Sequence, residues 1–181
     1  MVESQLRTNK VTDPGVLAAF LEVPREDFVP ESLKGVAYVD DDLPLGQGRF
    51  LIEPMVLARL IQAAEIKPES RVLVVGDPTG YAAAIAARLS RSVTMLERGN
   101  AASPGPYDAI VIAGAVERVP QELGNRLAEH GKLVTVLRER GRTMGTGAIV
   151  TRAGSVLSHR PLFDAGTPFV PGLSPAAEFS F

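Results

Sequence analysis

The stretch RVLVVGDPTGYAAAIAARL, Arg71 to Leu89, constrains the fold more than any other part of the chain. Val72 to Val75 are continuously apolar, as in a parallel strand buried on both faces. Gly76 and Gly80 bracket a short turn, and Ala82 to Leu89 read as a helix whose small alanines lie close to a sheet. Strand, glycine turn and helix in this order form the unit of a parallel α/β sheet, and such sheets bind ligands at the carboxyl ends of their strands. Pro78 stands in the middle of the turn, where a closely bound ligand favours bare backbone.

The neighbouring segments extend this unit. In TDPGVLAAFLEV, Thr12 or Asp13 can cap a short helix with Pro14 in its first turn, and VPREDFVP then breaks it. Glu53 to Ile66 reads as an amphipathic helix opening on Pro54. Ser92 to Glu97 and Tyr107 to Gly114 read as further strands, VPQELGNRLAEHG as a helix ending on Gly131, and KLVTVLRE as a fourth strand. TGAIVTRAG and SVLSHRPLFDAG read as a hairpin around Ala153-Gly154. The order predicts a mostly parallel α/β sheet with a C-terminal antiparallel hairpin.

At 181 residues the chain fits a single domain over 1–181, with an N-terminal helical segment (1–66) and a sheet core (67–181). Apolar runs are far too short to span a bilayer, so no membrane association is expected. MVESQLRTNK lacks a basic start followed by an apolar core, so no secretory signal is expected, and a cytoplasmic address is the default. A net charge of -2 argues against a nucleic-acid footprint, and Arg138, Arg140 and Arg142 read as a solvated loop. There is no cysteine, and His130 and His159 lie far apart, so no metal site is expected. His130 reads as a residue of a helix C-terminal turn. YVDDDL, with Asp40, Asp41 and Asp42, reads as a loop in preference to a cation site. The tail, with Phe163, Phe169, Phe179 and Phe181, reads as packed against the body.

LEVPREDFVPESLKGVAYVDDDLPLGQGRFLIEP carries a Pro-Arg pair, Phe-Val-Pro, Tyr-x-Asp, Leu-Pro-Leu-Gly and Gly-x-Gly in order. This run, the glycine turn, the strand ending at Glu97, PYDAIVIAGAVERVPQEL and GKLV together resemble the protein-L-isoaspartate O-methyltransferase family. The resemblance covers most of the chain. It implies a Rossmann-like fold, S-adenosylmethionine as cofactor, and methyl transfer to a carboxyl or other oxygen acceptor on a protein or peptide. It places the cofactor on Gly76, Asp77, Thr79, Gly80 and Tyr81, with Glu97 on its ribose, and the acceptor near Gly46, Gln47, Gly48, Ile52 and Pro54.

Three departures from the family pattern bear on chemistry. In the family the turn resembles acid-x-Gly-x-Gly-Ser/Thr-Gly-Tyr, the acid reaching the cofactor's amino group; here the acid's place is Val74 and the middle glycine is Pro78. Losing the carboxylate removes about 1.5 to 3 kcal/mol, or about tenfold to more than a hundredfold in affinity. Asp77 either replaces that acid or caps the following helix. Where the family has Ser/Thr-x-Pro, this chain has Ile52-Glu53-Pro54, and isoleucine donates no hydrogen bond.

The third departure is a deletion. Only RGNAASPGP separates Glu97 from Tyr107, nine residues in place of the family's helix, strand and helix. Extended, they reach about 30 Å, enough to return past a central strand but not to form a crossover helix. The sheet is therefore expected to lack one strand with its flanking helices, leaving the Glu97 strand at an edge open to dimerisation or partner addition. Two functions remain: an S-adenosylmethionine-dependent methyltransferase, or a non-catalytic module that kept the fold for binding.

Overall fold

The computed structural model describes residues 1–96 and 104–173. Short helical turns at Val2–Leu6 and Arg7–Asn9 lead into α1, Pro14–Glu22. Asp13 caps α1, its Oδ1 accepting from the Val16 N–H at 2.9 Å, and Pro14 sits in the first turn as the sequence predicts. Two more turns, Arg25–Phe28 and Glu31–Val36, carry no periodicity that sequence reading could have caught.

A small hairpin follows, β1 (Leu43–Gly46) against β2 (Arg49–Leu51). Its turn is Gly46-Gln47-Gly48, with φ of 83°, 56° and 71°, which explains the two glycines. The helix α2, Pro54–Ala64, buries Leu57, Leu60, Ile61 and Ala64, a stripe at helical spacing.

The core contains β3 (Arg71–Val75), α3 (Tyr81–Leu89), β4 (Ser92–Leu96), β5 (Tyr107–Val116), α4 (Gln121–Asn125), β6 (Leu127–Leu137), β7 (Gly145–Ala153) and β8 (Val156–Ala165). The six strands form one sheet in the order β4-β3-β5-β6-β7-β8. β4, β3, β5 and β6 run parallel, and β7 and β8 are added antiparallel. This is the expected Rossmann-like sheet with its C-terminal hairpin. β4 stands at the edge, as the missing crossover requires.

Alternation along the central strands divides the core into two layers. Val72, Val74, Ala109 and Val111 face α1, α2 and α3, whereas Leu73, Val75, Ile110 and Ile112 face the side closed by Leu123, Leu157 and Val170. The strands read as unbroken apolar runs because both faces are buried.

The structure corrects one element. The helix expected to end on Gly131 stops at Asn125, and β6 already begins at Leu127. Gly124 and Asn125 are poor helix formers, and the Arg126 carbonyl accepts from the Tyr107 N–H at 2.8 Å, drawing the chain into the sheet. His130 therefore lies in a bulged part of β6 with a φ of 64°, not in a helix C-terminal turn. His159 is exposed on β8. Phe163 packs in the core under Arg59, and Arg138 stacks on Phe169 at 4.2 Å, so part of the tail is docked. Arg140 pairs with Glu117 and Arg142 with Glu139. Phe179 and Phe181 lie outside the described residues. Among the described residues no helix is long and apolar enough to cross a membrane.

Candidate functional site

The carboxyl ends of β3 and β4 open into a cleft of about 370 Å³. Its floor is the turn from Gly76 to Gly80; Met95 and Leu96 form one side, and Gln47, Arg49 and Phe50 of the hairpin form the other. Val170 and Pro171 close it from the C-terminal segment. This is the place where a parallel sheet offers a ligand site.

The turn leaves its backbone open at the cleft. Gly76 and Gly80 have φ of 75° and 82°, and the space where a Cβ of Gly80 would stand is empty to 4 Å. Gly76 is required for a second reason: a Cβ there would meet Val170 Cγ1 at 2.6 Å. Pro78 is exposed and lines the cleft, so the turn presents a ring and no N–H at its centre.

Asp77 is committed to the turn itself. Its Oδ1 accepts from the Gly80 N–H at 3.0 Å and the Thr79 hydroxyl at 3.1 Å, and its Oδ2 accepts from the Ala83 N–H at 3.0 Å. Of the two readings open from sequence, geometry favours the helix cap. Val74, which the resemblance sets where an acid is expected, is fully buried within β3. Tyr81 does not reach the cleft. It is fully buried, edge-on to Phe20 and Phe28 with ring centroids 6.1 and 5.3 Å away. Burial pushes its phenol pKa up. Glu97 lies outside the described residues.

On the acceptor side, the hairpin turn brings Gln47 to the cleft, while Ile52 is 2% exposed and packs in the core. Pro54 starts α2 and is likewise buried. Behind them stands Arg25, fully buried, its Nε donating to the Ala37 carbonyl at 2.7 Å and its Nη2 to the Ile52 carbonyl at 2.8 Å. The guanidinium also faces the Tyr81 ring, 5.2 Å from its centroid. Burial lowers the Arg25 pKa, opposed chiefly by Tyr81 and Asp42.

An acidic group adjoins this arginine. Burial, reinforced by Asp40, Asp42 and Asp41, pushes the Glu53 carboxyl up to about 7. Burial also raises Asp42, whose Oδ1 accepts from the Glu53 N–H at 2.9 Å and from the Thr167 hydroxyl at 2.8 Å. No cluster of metal-ligating side chains occurs among the described residues. Sequence reasoning missed Phe50 and Val170, which line the cleft, and Arg25, Asp42 and Thr167, which support it from behind. The Pro-Arg pair was a signal for Arg25. Nothing in the sequence links Asp42 to Thr167, 125 residues apart.

The sequence model of the family described as protein-L-isoaspartate(D-aspartate) O-methyltransferase matches residues 1–100 and 97–155, two stretches that meet where the crossover is missing. A protein-L-isoaspartate O-methyltransferase of Rhodopseudomonas palustris is 37% identical over 162 residues, covering 74% of this chain and 66% of the relative, so this chain spans about two thirds of its length. A protein-L-isoaspartate O-methyltransferase of Methanoregula boonei is 34% identical over 199 residues, covering 94% and 90%. Among solved structures, a Plasmodium falciparum protein of that description, crystallised with S-adenosyl-L-homocysteine, superposes with a TM-score of 0.73 at 21% identity, covering 93% of this chain and 96% of that one. At that identity the superposition speaks for the fold. With the sequence matches beside it, the chain belongs to the protein-L-isoaspartate O-methyltransferase family.

Proposed function

We propose that this chain is an S-adenosylmethionine-dependent methyltransferase that modifies a carboxyl or other oxygen acceptor on a protein, with a weakened cofactor site. The observation that carries the reading is the cleft at the carboxyl ends of β3 and β4, floored by the glycine turn, in a member of this family. The residues fit the cofactor in part. Gly76 and Gly80 leave the backbone open to close approach, and Met95 and Leu96 supply an apolar wall. Against it, Val74 offers no partner to an ammonium group and Asp77 is occupied by its own turn.

When bound, S-adenosylmethionine supplies an electrophilic methyl group. The chain's contribution is position: the turn holds the ligand, and the hairpin, anchored by Arg25 through the Ile52 carbonyl, brings Gln47 and Arg49 to the acceptor side. Arg49 suits an anionic acceptor, since it is exposed at the cleft and forms no ion pair among the described residues. The test is transfer of labelled methyl from S-adenosylmethionine to an isoaspartyl peptide. Base-labile label on the peptide supports the reading, and no transfer to any carboxylate peptide contradicts it.

A second reading is favoured by Val74 and Pro78: a non-catalytic module that binds a protein through the open cleft or the β4 edge. It predicts partner binding without cofactor uptake.

A further inference from the structure

We propose that Asp42 and Thr167 form a positioning pair, whose hydrogen bond fixes residues 167–171 as the wall that closes the cleft. The inference deepens the methyltransferase reading by naming what sets ligand affinity from outside the ligand's reach. Neither side chain lines the cleft.

The wall runs from Thr167 to Pro171. Thr167 is 1% exposed, and its hydroxyl donates to Asp42 Oδ1 at 2.8 Å. From there the chain lies along the end of β5: the Ala115 N–H donates to the Pro168 carbonyl at 2.8 Å, and the Val170 N–H donates to the Ala115 carbonyl at 2.9 Å. This registers Val170 over two glycines. A Cβ on Gly76 would meet its Cγ1 at 2.6 Å, and one on Gly114 would meet its Cγ2 at 2.7 Å. Val170 thus fills the space above the tips of β3 and β5, and Pro171 faces the cleft.

Asp42 joins this wall to the acceptor side, because the same Oδ1 accepts the Glu53 N–H at the start of α2. One partly buried carboxylate oxygen therefore ties the C-terminal segment to the hairpin and helix opposite it. A hydrogen bond from a buried hydroxyl to a partly buried carboxylate is strong enough to decide between a docked and an undocked segment. Prolines at 168 and 171 limit the conformations lost on docking.

The experiment is hydrogen exchange at the Ala115 and Val170 amides of the full chain, comparing wild type with Thr167→Val, which keeps the shape, and Thr167→Ser, which keeps the hydroxyl. Binding of S-adenosylhomocysteine is measured alongside. In Thr167→Val, exchange at both amides is expected to rise about tenfold and the Kd for S-adenosylhomocysteine to weaken about threefold or more, while Thr167→Ser restores both. Equal exchange in Thr167→Val and wild type, or no rescue by Thr167→Ser, overturns the anchoring. Faster exchange with an unchanged Kd overturns its effect on affinity. Failure of the wild type to bind S-adenosylhomocysteine contradicts the proposed function instead, and the exchange rates then judge the anchoring without ligand.

Discussion

The two sides of the cleft differ in what holds them. The glycine turn is a backbone structure, with Gly76 and Gly80 at positive φ, and it offers little polar side-chain chemistry to the cleft: Val74 is buried in β3 and Pro78 presents a ring. The hairpin side is held by charged side chains, the buried Arg25 on the carbonyls of residues 37 and 52 and the partly buried Asp42 on Glu53 and Thr167. The difference teaches that a shape set by glycine and strand pairing does not depend on the side chains that face the cleft. A shape set by buried charge fails when one partner is removed.

The largest effect to follow from this contrast belongs to Arg25. Arg25→Met leaves two carbonyls without their buried donors and is expected to cost about 3 to 5 kcal/mol in denaturant unfolding. A loss below about 1 kcal/mol would erase the distinction between the two sides.

Next is the turn. Val74→Glu with Pro78→Gly is expected to tighten S-adenosylmethionine binding by about tenfold or more in calorimetry, the size of one charged hydrogen bond. Unchanged binding would mean that the turn is no cofactor cradle.

The smallest effect concerns Glu53. Its carboxyl titrates near 7 in the folded chain, above its ordinary 4.5, so the folded state holds a proton that the unfolded state releases. Stability contributed by this group is therefore present below about 4.5 and lost as pH rises through about 7. Because Glu53 is only half-buried and partly screened, Glu53→Gln is expected to gain about 1 kcal/mol at pH 8 and nothing at pH 4. An equal gain at both values would assign the effect to something other than charge.

Much of the scaffold was legible because it is periodic or punctuated. The apolar run of β3, the Asp13-Pro14 start of α1 and the glycine-marked hairpin of β7 and β8 all announce themselves over a few residues. The helix expected to end on Gly131 failed because strand pairing of Leu127 with Tyr107 overrode a local pattern. The glycine turn was legible as a place, and the roles of its residues less so. Tyr81 belongs to the motif in sequence, but its ring packs between Phe20 and Phe28, away from the cleft. Asp42 gave a sequence signal only as part of an acidic run, since its partner lies at the far end of the chain.

The central claim is that the cleft above Gly76 to Gly80 still takes the family's cofactor, and titration calorimetry of the full chain with S-adenosylmethionine and S-adenosylhomocysteine tests it most directly. Weak saturable binding, with a Kd of about 10 μM to 1 mM, is the predicted result. No heat and no thermal shift at millimolar ligand would contradict it.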